Sequence, residues 1–373
     1  MSYSVRDRIA FIDATRGAGM LFVCLAHFSV GLQYYESGVS ARTAGLFQAI
    51  GMIASPTFVI VSGLTVGLLF SRAGATAHAL RIKLLDRALF MLTLGHLVLV
   101  LARGTTWFSS APGGYRATFI TDTIAICLIA GVFLAGRLTP RARAALGVGC
   151  YFLGWIIFVR WHPSAPLPRL TEEVLAGRPG HHLDDFPILM WFGVHQLATL
   201  AGERLNNRTT ADTFANFGRR LLASGTVMLA SGLALRFVSR KWVAFGTDAH
   251  PFSTWQKFPP GPVYLLFYGG IGVLLVGLLM RFADALWPWL SRGLGVVGRS
   301  SFFTYVVQWF VFTTLVPLLH LPVGRLWPVY FTLLLAVTYG LAAMWDRARG
   351  NRFLTVGLVY AYDSFEDRKA TAN

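Results

Sequence analysis

A succession of apolar runs too long for a globular core limits what this chain can fold into. Leu46–Phe70, Ala88–Leu101 and Tyr264–Met280 each pass without a charged residue. A helix rising about 1.5 Å per residue needs roughly 20 such residues to cross the ~30 Å hydrocarbon layer of a bilayer. The 373 residues are 55% hydrophobic and only 13% charged, against roughly 25% charged in a soluble domain. A water-soluble fold has nowhere to hide that much apolar surface. The expected class is therefore all-α, a polytopic membrane protein.

Apolar runs read against basic and Pro/Gly breaks place ten spans at about 9–32, 44–70, 85–102, 118–136, 143–160, 186–203, 220–237, 260–281, 297–318 and 326–345. Residues 1–350 then form one transmembrane domain and 351–373 a short tail. With ten spans, about two thirds of the 33 Lys and Arg residues fall on the side of the termini. The positive-inside bias puts that side, with the tail, in the cytoplasm. The net charge of +16 invites a nucleic-acid reading, but the basic residues are parcelled among loops rather than gathered on one face. Attraction to anionic membrane lipids accounts for them, and no nucleic-acid partner is expected. Cys24, Cys127 and Cys150 lie inside apolar runs without zinc or redox spacing. The longer connections, 160–185 and 237–259, fall on the outer side and are rich in Pro, His and aromatic residues. Connections of that length suit a cover over an acceptor site, or serve as solvated linkers.

The first span carries Asp13, Arg16, Gly17 and His27. Eleven residues is close to three helical turns, so Arg16 and His27 share a face about 16 Å apart along the axis. Asp13 and Arg16, three apart, are neighbours that can pair. A long donor with phosphates at one end and a thioester at the other, such as an acyl-CoA, fits that stripe. Guanidinium suits phosphate through paired charge-assisted hydrogen bonds. Imidazole titrates near neutrality and suits general-base work. Each residue also has a plainer reading, His27 as a satisfied interior polar group and Arg16 as a snorkelling or orientation residue.

Asp122 and Asp185 open the fourth and sixth spans on the outer side. Either is placed to orient His27 or to bind an acceptor, and either equally caps a helix N-terminus. Tyr305 offers a hydroxyl to a carbonyl or packs. His96, His195 and Gln196 are polar groups at membrane depth, better read as interhelical hydrogen-bonding groups than as catalysts, since no spacing supplies a partner. The basic loop from Arg72 to Arg87 faces the same compartment as Arg16, and Arg87 is its best candidate for CoA phosphates. No His/Asp/Glu cluster has metal-ligand spacing, so no metal is expected.

Four segments together resemble the acyltransferase-3 superfamily. They are the Arg16 and His27 pair in the first span, Phe58–Leu64 with its Ser62-Gly63, Arg81–Arg87, and Gly298–Trp309. The last matches a Gly-Arg-x-Ser-x-x-x-Tyr-x-x-His-Trp pattern with Gln308 where His is usual. Asp185–Val194 and Lys257–Leu265 look closest to bacterial relatives of heparan-α-glucosaminide N-acetyltransferase. The resemblance implies a ten-helix enzyme of the bacterial cytoplasmic membrane. It would carry an acyl group, acetyl by the closest resemblance, from cytoplasmic acyl-CoA to a glycan or lipid-linked sugar outside. Carried over by position, His27 would be catalytic and Arg16 would bind the donor; beside them Asp122 is placed to assist, Arg87 and Arg299 to meet the donor, and Asp13, Asp185 and Tyr305 to bind the substrate. The rival reading is a transporter or flippase for an anionic solute, which also uses intramembrane Arg and His but usually shows repeat symmetry. No repeat is evident in this sequence.

Overall fold

The computed structural model describes residues 10–35, 40–103, 118–177, 186–206, 211–242, 255, 257–282, 288–319 and 326–362. Among these residues every regular element is helical. In chain order they are α1 (Ala10–Tyr35), α2 (Ala41–Gly51), α3 (Ala54–Ala73), α4 (Ala77–Phe90), α5 (His96–Arg103), α6 (Ile120–Leu134), α7 (Pro140–Arg160) and α8 (Pro166–Ala176). There follow α9 (Ile188–Asn206), α10 (Ala211–Trp242), α11 (Gly270–Phe282), α12 (Pro288–Arg299), α13 (Ser301–Phe310), α14 (Val316–Leu319) and α15 (Trp327–Arg347). Single π turns at Met91–Gly95, Leu265–Gly269 and Val311–Leu315 interrupt otherwise continuous helices.

Seven helical stretches are long and apolar enough to cross a membrane: 10–29, 41–73, 77–103, 140–160, 216–239, 262–282 and 327–347. The expected spans at 118–136 and 297–318 appear as shorter apolar helices, 120–134 and 301–315. The second starts late because the backbone breaks between Arg299 and Ser301, where α12 meets α13. The expected span at 186–203 is helical as α9, yet His195, Gln196, Glu203 and Arg204 lower its apolar character. The described residues thus contain seven helical stretches of membrane-spanning length and apolarity and two shorter apolar helices. The connection 160–185, expected as a cover or a solvated linker, contains α8. Pro166 starts that helix at its first turn and Gly177, at φ +81°, ends it.

The chain divides into two compact units. One comprises residues 1–61, 210–241 and 265–351. Its centre is α1, which packs on α2, α11, α12 and α13. At the α1–α12 crossing, a Cβ on Gly17 would run into the Leu294 carbonyl, and one on Gly298 into the Asp13 carbonyl. Backbones meet there directly, the close approach that small residues permit between membrane helices. Below the crossing, Cys24, Phe28, Ala44, Val311, Val316, Phe331 and Leu334 form an apolar core.

The other unit comprises residues 62–209, 242–264 and 352–373. Here α9 lies against α7 and α6, and Gly67 and Gly202 allow it to touch the backbone of the second half of α3. Thr139 caps α7 by accepting from the Ala142 amide at 3.2 Å, with Pro140 at the first helical position. Arg143, near the start of α7, is only 3% exposed. Its guanidinium pairs with Glu203 and donates to Thr199 at 3.2 Å. The first residues of the tail are tied down: Asp86 on α4 accepts from the Thr355 hydroxyl and from the amides of Val356 and Leu358.

Because the α1–α12 contact is backbone on backbone, Gly298→Ala should destabilise the fold by about 1–3 kcal/mol. Thermal unfolding of the purified protein in detergent measures this. An unchanged midpoint would mean that the two helices stand farther apart than described.

Candidate active site

His27 sits in the C-terminal half of α1, and its surroundings come from α13 and the π turn that follows. Its Nδ1 lies 2.6 Å from Oε1 of Gln308, a residue with no exposed surface. The Gln308 amide is itself oriented, since its Nε2 donates to the Tyr305 carbonyl at 3.1 Å. With the nitrogen committed to Tyr305, the oxygen faces His27 and must receive a proton. His27 therefore carries its hydrogen on Nδ1 and its lone pair on Nε2. The ring is flanked by Trp309, centroids 4.7 Å apart, and by Phe312 at 5.7 Å. One turn beyond, Gly31 leaves room for the Phe312 ring, which a Cβ would meet at 2.7 Å. The result is a half-buried imidazole in an aromatic box with its tautomer assigned.

The other residues expected on α1 lie toward its N-terminal end, at the crossing with α12. Arg16 is half-buried in the turn bounded by Asp13 and Gly17. Arg299, at the end of α12, feels the charge of Asp13. Its guanidinium forms a paired contact with Asp346, with Nε at 3.0 Å from Oδ1 and Nη2 at 2.7 Å from Oδ2. The Arg299 carbonyl accepts from Asn351 at 2.7 Å, and the Ser300 hydroxyl donates to the Ala342 carbonyl at 3.1 Å. The Gly-Arg-x-Ser segment thus fastens the α12–α13 junction to α15. Arg299 has this structural task whether or not it also meets a phosphate. Tyr305 is buried, with its ring edge-on to Trp309 at 6.3 Å, and its carbonyl positions Gln308. The structure so brings together His27, Gln308 and Tyr305 at one level of the first unit, and Asp13 and Arg299 at another.

In the second unit, Asp122 is 5% exposed at the start of α6. Its Oδ2 accepts from the Phe119 amide at 2.8 Å, so the expected capping role is present. The same oxygen lies 2.9 Å from Nδ1 of His96. His96 had no partner legible in the sequence, and the fold supplies one. His195 makes the interhelical contact expected of it, with Nε2 3.4 Å from the Ser62 hydroxyl. Arg87 donates from Nη1 to the Leu354 carbonyl at 3.2 Å, joining α4 to the tail. Asp185 lies outside the described residues. Among the described residues no group of three His, Cys, Asp or Glu side chains could hold a metal.

Gln308 is the contact of His27 that sequence reasoning left without a role. If its amide holds the His27 tautomer, Gln308→Leu should lower acetyl-transfer turnover about 10–100-fold, the usual cost of losing a group that orients a working imidazole. Steady-state kinetics of the folded variant checks this, and wild-type turnover would remove Gln308 from the site.

Comparison with curated proteins gives no match. The sequence model of the family described as heparan-alpha-glucosaminide N-acetyltransferase, catalytic, matches residues 8–216. That stretch is more than half of the chain; it includes Asp13, Arg16, His27, Arg87, His96 and Asp122 and stops short of Arg299, Tyr305 and Gln308. On that match the chain belongs to the heparan-alpha-glucosaminide N-acetyltransferase family of membrane acetyltransferases.

Proposed function

We propose that this protein takes an acetyl group from acetyl-CoA on the cytoplasmic side of a bacterial inner membrane and delivers it to a glycan or lipid-linked sugar on the far side. The bundle that does so has ten crossing helices and cytoplasmic termini, an arrangement supported by the two-to-one distribution of basic residues. The observation that carries the reading is the His27–Gln308 contact at 2.6 Å. It supports a basic or nucleophilic role for Nε2 of His27, in a chain of an acetyltransferase family.

Arg16 stands about three turns closer to the cytoplasmic end of the same helix. In this reading its guanidinium receives the CoA phosphates, while the pantetheine arm runs along α1 and brings the thioester to His27. Arg299 and Asp13, electrostatically coupled at the α12 crossing, frame the phosphate end. The chemistry is an acyl substitution. The thioester C–S bond breaks, a bond forms between the acetyl carbon and an acceptor nitrogen or oxygen, and one proton passes from the acceptor atom to the CoA sulfur. His27 takes part as base or as carrier of the acetyl group, and both roles use Nε2.

Two variants test this. His27→Ala should abolish acetyl transfer in protein that still folds and inserts, and full activity would overturn the assignment. Arg16→Ala should weaken CoA binding at least 10-fold by calorimetry; unchanged affinity would take Arg16 out of the donor site.

A further inference from the structure

In the second unit, the connection between α7 and α9 carries a helix whose polarity is inside out. On α8 the acids Glu172 and Glu173 are buried, at 0% and 6% exposure, while Leu167 and Leu170 stand out at 74% and 47%. A helix that faces water does the reverse, turning carboxylates outward and leucines in. The inward charges are answered close by: Nδ1 of His162 lies 2.9 Å from Oε1 of Glu172, and Nε of Arg169 donates to Oε1 of Glu173 at 3.2 Å. These contacts, and the packing of α8 on α7 and α9, fix which face looks out.

What looks out is apolar with a cationic margin. Leu167 and Leu170, three residues apart, share one side of the helix, and Trp161, between α7 and α8, is 37% exposed. Arg160 is exposed at the end of α7, and Arg169 keeps 39% of its side chain exposed. The outward leucines continue a surface that already suits lipid: α7 is of membrane-spanning length, and Phe152, Ile156 and Val159 are exposed on its last turns. With 11 residues, α8 is roughly 16 Å long and too short to cross a bilayer. Outward leucines, cations at their edge and an aromatic ring at the junction suit a helix lying in the plane of the membrane surface.

We propose that α8 lies flat in the membrane interface, with Leu167 and Leu170 among the acyl chains and Arg160 and Arg169 level with the lipid phosphates. The connection is then anchored by lipid, and it is not a solvated linker. The buried acids follow from the same setting. Turned outward, Glu172 and Glu173 would meet phosphate of like charge; turned inward, they pair with His162 and Arg169 and leave the cations to face the headgroups. The lipid contact holds whether or not the protein transfers acetyl groups.

The test uses the full chain in nanodiscs of phosphatidylethanolamine and phosphatidylglycerol. Cys24 and Cys127 are buried and Cys150 is partly exposed, so a Cys150→Ala background leaves the introduced thiol as the one to label. A nitroxide is attached at Leu167→Cys in one sample and at Leu170→Cys in another. Oxygen, which concentrates in lipid, should relax both labels more strongly than a water-soluble nickel chelate does. A nickel effect that exceeds the oxygen effect at both positions puts the leucines in water and overturns the inference. Shielding from both reagents overturns it too, because the face is then covered by protein, a second copy or another chain. Without any label, quenching of tryptophan fluorescence by brominated lipid should fall on Trp161→Phe, and unchanged quenching would remove Trp161 from the interface.

Discussion

A polar side chain in the hydrocarbon layer has no water to fall back on, and much of the organisation of this protein follows from how four such groups are answered by another. His27 is answered by Gln308, Arg299 by Asp346, His96 by Asp122, and Arg143 by Glu203. All four contacts join different helices, so they set helix register as well as satisfying charge. Around them the helices approach through glycine, at Gly17 and Gly298 in one unit and at Gly67 and Gly202 in the other. In lipid the apolar faces alone give little reason for one register over another, because lipid tails are as apolar as leucine. Polar pairs and small residues therefore do much of the specifying that a hydrophobic core does in water.

This pattern explains what could be read from the residues alone. The helical class and most of the apolar stretches were legible, because span length and charge spacing are local properties. The shared face of Arg16 and His27 was legible for the same reason, being a matter of eleven residues on one helix. Partners were not. Gln308 lies 281 positions from His27 and Asp122 lies 26 positions from His96, and no periodicity within one element encodes a contact with another. The helix expected at 186–203 is present as α9, with a buried polar stripe, while the connection before it holds α8, which no apolar run announced. The break at Ser300 was missed because its cause is tertiary, the Ser300 hydroxyl and the Arg299 carbonyl both being held by residues near the end of the chain.

The two histidine sites differ in ways that matter chemically. His27 has an amide behind it and aromatic rings beside it, a setting that fixes a tautomer. His96 has a buried carboxylate behind it. Arg299 shows the opposite economy: a residue expected to bind donor is already engaged in holding a helix junction, so its loss would be felt as instability before it was felt as lost affinity.

The central claim is that the thioester is brought to Nε2 of His27. A structure of the protein with a non-hydrolysable acetyl-CoA analogue tests it most directly. The account predicts the acetyl carbonyl carbon about 3–3.5 Å from that nitrogen, with the CoA phosphates toward the Arg16 end of α1. An analogue whose acetyl end lies away from α1, leaving the His27–Gln308 contact and its aromatic box untouched, would contradict it.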